Sequence, residues 1–509
     1  MAKRTKWQAF HRWAGLLFAI FLLIFCVSGI ILNHRDLFAG CNVSRSLLPS
    51  SYHIENFNNG SVKGTIALGA DSIVAYGCNG AWLTDRRFSQ FSDFNSGLPT
   101  GADRRNIRGI VRSNDGSLWC AAQFGLFRLD NGSWRPVELD GNTERLSDIT
   151  LSPDSTSVTV LTRSAIYQVD AEGHSRRIEL AQAEGHSEKV SLFKTIWLLH
   201  SGELFGIAGK IVVDIVAIVI IILSITGIII FILPYSIRRA ARRSLQVKTR
   251  RLSSSLKWNV HWHDRFGYWL LVLTLLIAVT GMCLRPPLMI PFVLTKTAPL
   301  PGSTLDNPNP WHDRMRAIRF DSAADRWLIS TSDGFISADR NFSHAPVAID
   351  AAKTPPVSPM GVNVFEADGT GNWIVGSFSG LFSWNPATGD VTDMTTGKPY
   401  ERKRGSRPVA STMVAGYSSD LDTPDAVVFD YSKGADITGA DRALLSSQPM
   451  SLWNTALELH VGRCYNPFLG PLSDLFVFLA GLLLTLILIS GYIVHRRARN
   501  KKLTQTKHQ

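Results

Sequence analysis

Nucleotide chemistry is what this 509-residue chain leaves least room for. No G-x-G-x-x-G turn follows a strand pattern, and there is no phosphate loop. Acidic residues are missing from one region: none occurs between Asp214 and Asp264, although Arg238, Arg239, Arg242, Arg243, Lys248, Arg250, Arg251 and Lys257 all lie there. Charge of either sign is missing from four long runs, Trp13–Leu32, Ile215–Leu233, Phe266–Leu284 and Leu475–Val494. A bilayer crossing needs roughly 20 apolar residues as helix, and soluble core helices rarely run that far without a polar face. No clear small-x-small cleavage site follows the first run, so it reads as a retained helix rather than a secretory leader.

These absences set the expected architecture. The chain is a membrane protein with transmembrane helices in 1–35, 190–237, 259–285 and 450–496. A basic loop (238–258) and a basic tail (497–509) lie between and after them, and 36–189 and 286–449 are long inserted segments. Under the positive-inside rule both termini and the basic loop are cytoplasmic, and both long segments lie outside. The predicted location is a bacterial inner membrane, with membrane lipid as one partner and two large periplasmic segments. The net charge of +12 is then mainly a topology signal and gives no reason to invoke nucleic acid. The cytoplasmic pieces are too short for βαβ units of about 30 residues each. An electron donor must therefore be a quinol or a separate protein.

The chain is also internally repeated. SLFKTIWLLHSG (Ser191–Gly202) recurs as SLWNTALELHVG (Ser451–Gly462), and each copy leads into an apolar run with an aspartate at the same distance, Asp214 and Asp474. HRWAGLLFAIFLLIFCVSG carries His11, Gly15 and Gly29; HDRFGYWLLVLTLLIAVTG carries His263, Gly267 and Gly281 at identical spacing. The fold predicted is a four-helix bundle of two tandem repeats with a pseudo-twofold axis along the membrane normal.

Both outer segments carry short strand patterns separated by turns. Thr65–Phe91, Ile107–Leu139, Asp148–Leu180, Ala317–Val347 and Asn363–Met394 each read as a unit of up to four strands, with a weaker unit over Ser411–Tyr431. Such repeats are the signature of β-propeller blades. LWCAAQFGLFRLDNG and WIVGSFSGLFSWNPATG resemble the blades of two-component-regulator propellers. The expectation is an all-β, propeller-like domain assembled from both segments, with two separate β-sandwiches as the alternative. Cys41, Cys78, Cys120 and Cys464 could pair in an oxidising compartment, in any of three connectivities.

The symmetry brings like histidines together, His11 with His263 on the inner side and His200 with His460 on the outer side. Two imidazoles meeting across a helix bundle are the axial ligand set of a b-type haem. Gly15 and Gly267 lie four residues after their histidines, on the same helix face, where they would leave room for a porphyrin. The competing reading makes all four interfacial side chains. His34 has no repeat equivalent and is a substitute ligand or an interfacial residue; His261 is expected to be exposed. Asp214 and Asp474 could cap a ligand histidine, carry a proton or hold the repeats together.

HRWAGLLFAIFLLIFCVSGIILNHRD and the LHSG…TGIIIFILP segment resemble the PepSY-associated transmembrane family, and the third and fourth runs repeat those motifs. That resemblance implies b-type haem between the helices, about two per chain, with His11, His200, His263 and His460 as ligands. It implies a haem-dependent ferric-chelate reductase that passes electrons outward to a periplasmic acceptor such as a ferric siderophore. The alternative is a non-enzymatic, membrane-anchored propeller for sensing or partner binding. Two basic clusters, Arg104, Arg105, Arg108, Arg112 and Arg402, Lys403, Arg404, Arg407, would steer an anionic chelate or be merely solvated.

Overall fold

The computed structural model describes residues 5–507 apart from 359 and 402–411. The chain divides into two compact units: Met1–Phe38, Glu188–Asn307 and Trp453–Gln509 form a helical unit, and Ala39–Ser187 with Pro308–Leu452 form a sheet unit.

In the helical unit, α1 (Lys6–Asn33) opens on a capping box in which Thr5 and Gln8 satisfy each other's backbone N–H groups. Helix α2 (Leu192–Ser201) stops at Gly202, which adopts φ +78°. A side chain there would also strike the carbonyl oxygen of Gly209, 2.3 Å from the Cβ position, so only glycine fits. Next come α3 (Gly206–Arg242), α4 (Gln246–Trp269) and α5 (Leu271–Cys283). Helix α6 (Leu452–His460) ends before Gly462 at φ +84°, and α7 (Ser473–Lys507) follows.

Three helical stretches are long and apolar enough to cross a membrane: Lys6–Asn33, Glu203–Arg242 and Arg463–Asn500. The third expected span departs from the sequence reading. It is not one helix over 259–285; α4 and α5 meet at Leu270 with a 65° bend and make a fourth span only if counted together. At the break the Leu270 N–H turns back to the Phe266 carbonyl at 3.2 Å, and the Thr274 hydroxyl donates to the Leu270 carbonyl at 2.8 Å. The first repeat has Leu22 at that position and α1 stays a single helix. The basic stretch 238–258 is likewise largely helical, since α3 runs to Arg242 and α4 starts at Gln246.

Phe18, Leu22 and Cys26 of α1, Val216 and Ile220 of α3, and Ala480 and Ile487 of α7 form the apolar centre, with Ile277 of α5 packed against it. The outward side chains are apolar as well: Leu17 is 73% exposed and Val272 75%. A helical unit oily on both faces has lipid as its solvent.

Among the described residues the sheet unit holds six antiparallel sheets in chain order, over residues 64–93, 107–137, 146–178, 315–348, 364–399 and 414–430, of four, four, four, four, five and two strands, besides a short pairing of Asn42–Val43 with Met450–Ser451. The weak repeat at the end is thus a two-stranded hairpin, with Ser411 outside the described residues. Each sheet shares an apolar cluster with the next. Val74 shares a cluster with Ile110, Trp119 with Ile149, Leu161 with Trp327, Phe335 with Phe365 and Leu381 with Val414. Ile73 of the first sheet shares a cluster with Phe429 of the sixth. Contact on both faces explains why Leu118–Ala122, Val158–Thr162 and Trp373–Ser377 are buried at every residue instead of alternating. All six cysteines are free, so none of the possible disulfides among Cys41, Cys78, Cys120 and Cys464 forms here.

Candidate functional site: two histidine pairs in the helical unit

The four histidines meet as two pairs. The ring centres of His11 and His263 lie 6.1 Å apart, and those of His200 and His460 lie 6.2 Å apart. The helices bring them together by crossing repeats. His11 on α1 reaches α7 of the second repeat, where its Nδ1 lies 3.1 Å from Ser490 Oγ and 3.1 Å from the Ile487 carbonyl. His263 on α4 reaches α3 of the first repeat, with Nδ1 2.9 Å from Thr226 Oγ1. His200 on α2 meets Thr280 Oγ1 of α5 at 3.0 Å, and His460 on α6 meets Ser28 Oγ of α1 at 2.9 Å.

Each of those hydroxyls already has a use for its single proton. Ser28 donates to the Ile24 carbonyl, Thr226 to Ile222, Thr280 to Leu276 and Ser490 to Ile487, all at 2.7 Å. A hydroxyl whose proton is spent can only accept, so each imidazole must carry its proton on Nδ1. The Nε2 lone pair is thereby left free in all four rings, the tautomer that a metal-ligating histidine needs.

A glycine follows each hydroxyl residue and lets the ring lie against the helix. The Cβ position of Gly281 is 3.0 Å from His200 Cε1, and that of Gly491 is 3.0 Å from His11 Cε1. For Gly29 against His460 and Gly227 against His263 the distances are 3.4 and 3.5 Å. These four Ser/Thr-Gly steps are the part of the site that sequence reasoning missed. The signal was available, since one such dipeptide stands in each apolar run: Ser28-Gly29, Thr226-Gly227, Thr280-Gly281 and Ser490-Gly491.

The separation also has a chemical meaning. Two imidazoles ligating one metal ion from opposite sides, with metal–nitrogen bonds of about 2.0 Å and about 1.1 Å from nitrogen to ring centre, place their centres about 6.3 Å apart. Each pair is thus spaced as two imidazoles sharing one iron would be, and His11 with His263 and His200 with His460 are the residues that could hold it.

Other expected residues fall elsewhere. Gly15 and Gly267 do not touch the rings: nothing lies within 4 Å of the Gly15 Cβ position, and only Leu223 Cδ2, at 3.8 Å, approaches Gly267. A side chain would meet open space at Gly15 and an ordinary contact at Gly267. Asp214 and Asp474 are not equivalent in space. Gly202 and Gly206 are four residues apart, whereas Gly462 and Gly470, with matching φ of +84° and +53° against +78° and +60°, are eight apart. The extra turn is Asn466–Leu469, so the equal spacing read from the sequence slips before the aspartates are reached. Each aspartate instead ties a second helix to the end of the first. Asp214 Oδ2 lies 2.7 Å from His34 Nε2, which accounts for His34 without ligation, and Asp474 Oδ1 lies 3.4 Å from Arg285 Nη2. His261 is exposed.

The first basic cluster makes local contacts. Arg105 donates to the Pro99 carbonyl at 3.0 Å, Arg108 to Gln123 Oε1 at 2.5 Å and Arg112 to the Leu68 carbonyl at 3.0 Å, while Arg104 is half-buried. The second, from Arg402 to Arg407, lies outside the described residues.

The model of the PepSY-associated TM region matches the chain twice, over residues 1–233 and 232–498. The chain belongs to the PepSY-associated transmembrane family. The two matches agree with the tandem repeat and with the histidine segments on which the resemblance rested. Comparison with curated proteins finds no match. Among solved structures, the chain is similar to the extracellular domain ascribed to the hybrid two-component system BT4673 of B. thetaiotaomicron, at 9% identity and a TM-score of 0.36, covering 74% of this chain and 32% of that one. The corresponding domain ascribed to BT3049 gives 9%, 0.34, 74% and 39%. The chain thus spans only about a third of the length of those structures.

Proposed function

We propose that this PepSY-associated transmembrane protein is a di-haem b electron carrier of a bacterial inner membrane, passing electrons outward to reduce a ferric chelate. The observation that carries the reading is the fourfold site: two histidine pairs 6.1 and 6.2 Å apart, each Nδ1 held by a hydroxyl whose own proton is already used. Free or interfacial histidines have no need of such a constraint. Bound haem would supply a one-electron ferric/ferrous couple at each pair. The chain's own part is to present Nε2 from both sides, to fix ring orientation through Ser28, Thr226, Thr280 and Ser490, and to exclude water with the apolar helices.

The helical elements read as a four-helix bundle once α4 and α5 are counted as one bent span. The six sheets, each sharing a core with its neighbour and the sixth with the first, read as the blades of one propeller built from both inserted segments. Electrons would enter on the basic side from a quinol or a separate protein. At the acceptor, one electron converts ferric to ferrous iron, which hard oxygen ligands hold weakly, so the chelate releases it.

Purified full-length protein from haem-replete cells is expected to show a reducible b-type spectrum with about two haems per chain. After anaerobic reduction, a ferric hydroxamate should reoxidise it. A colourless preparation rejects the reading; haem that no ferric compound reoxidises keeps the haems and rejects the acceptor.

A further inference from the structure

We infer that Arg285 binds a carboxylate of the outer haem, one of the two propionates that haem b carries; this rests on the di-haem reading above. Arg285 follows the end of α5, four residues after Gly281, the residue against which the His200 ring lies at 3.0 Å. It stands about one helical turn outward from the pair.

Its surroundings leave a guanidinium short of acceptors. The side chain is only 17% exposed, and its Nε is buried without a hydrogen-bond partner. Its one ion pair among the described residues is a single 3.4 Å contact to Asp474, whose carboxylate is 70% exposed. Arg463 lies close enough to repel it and Glu458 close enough to attract it, but Glu458 is itself bound to Arg463, 2.8 Å from Nε to Oε2. An arginine offers five donors in a planar fork suited to a carboxylate, and a desolvated cation with one poor acceptor is costly.

The first repeat shows what the position needs when no anion is bound there. Asn33 is the equivalent residue, and its neutral amide is satisfied by the Ser201 carbonyl at 3.0 Å. The second repeat has placed a cation where an amide suffices. The planar group expected between His200 and His460 brings carboxylates of its own, and Arg285 is the cation positioned to meet one.

The test is a redox titration of the full-length protein, followed at the haem absorption bands with no acceptor present. The outer haem is identified as the one missing from His200→Ala. With Arg285→Gln, its midpoint potential should fall, because a cation favouring the reduced state has gone, while the inner haem stays in place. Arg285→Lys should fall part of the way, and Asp474→Asn should raise the potential or leave it unchanged. Selective loss of the outer haem in Arg285→Gln, with the inner one intact, also supports the assignment. If both haems are lost, Arg285→Lys decides by whether the outer potential moves. Two haems at unchanged potentials in both arginine variants overturn the inference. A shift that appears only when a ferric chelate is added assigns Arg285 to the acceptor's carboxylates instead and also overturns it. Wild-type protein without haem is a different result, which removes the di-haem reading itself.

Discussion

The two repeats differ almost everywhere except around their histidines. The first enters the membrane region on one unbroken helix; the second does so on two, bent by 65° where Thr274 replaces Leu22. The second carries an extra turn at Asn466–Leu469, so that 27 residues separate His200 from Gly227 but 31 separate His460 from Gly491. Arg12 lies over the ring of Phe231 at 4.3 Å, whereas the corresponding Asp264 and His495 are hydrogen-bonded at 2.7 Å. Through all of this the histidine, the accepting hydroxyl and the flat glycine recur four times. Helix packing tolerates drift, because any apolar surface of the right size will do. A ring that must present one particular nitrogen tolerates very little.

Since every histidine leans on the other repeat, neither repeat can build a site by itself. The largest effect should therefore come from single ligands. His200→Ala and His460→Ala should each abolish the same haem and leave the other, and His11→Ala with His263→Ala should do the converse. Haem stoichiometry and low-temperature spectra of the four variants read this out. If the two outer substitutions act on different haems, the cross-repeat pairing is wrong.

Much of this was legible before any coordinates. The gapless match of SLFKTIWLLHSG to SLWNTALELHVG and the equal spacing of His11 and His263 from their glycines placed the four histidines in pairs, because internal symmetry survives translation into structure. Five of the six sheets followed from turn residues and strand patterns. What failed was register and local bending. An inserted turn between Gly462 and Gly470 leaves composition unchanged, so Asp214 and Asp474 looked equivalent when they are not. The apolar run over 266–284 gives no sign of the break at Leu270. The hydroxyl–imidazole bonds were missed for a related reason: Ser and Thr in apolar helices ordinarily bond their own backbone, and these four do so while also accepting from a ring on the other repeat.

The next effect concerns those hydroxyls. Ser28→Ala, Thr226→Val, Thr280→Val and Ser490→Ala each remove one acceptor from an Nδ1–H and should speed haem loss or weaken haem binding about 10- to 100-fold, the usual scale for such supporting groups. Transfer of haem to a scavenging apoprotein measures it. Similar losses at all four positions would sharpen the equivalence of the repeats. A loss confined to one pair would mean that the other is held by its carbonyl contacts, such as Phe25 O at 3.1 Å from His460 Nδ1.

The smallest expected effect tests where the repeats diverge. Asp214 and Asp474 each join a second helix to the end of the first, but in different surroundings. The Asp214 carboxylate is 17% exposed and meets a His34 that is 34% exposed at 2.7 Å, while Asp474 is 70% exposed and 3.4 Å from its arginine. A short hydrogen bond to a charged group away from water is worth about 1.5–3 kcal/mol, whereas exposed ion pairs contribute about 0–1 kcal/mol. An asparagine at 214 keeps the shape and can still meet a neutral imidazole, which bounds the loss at the lower end of that range. Asp214→Asn should therefore lower stability by about 1–2 kcal/mol, and Asp474→Asn by less than about 0.5 kcal/mol. Thermal unfolding of the full chain in detergent, followed by tryptophan fluorescence, compares the two variants directly. Equal falls in Tm would mean that the two contacts do the same job despite their exposure, and that the inserted turn moved an aspartate without changing what it contributes.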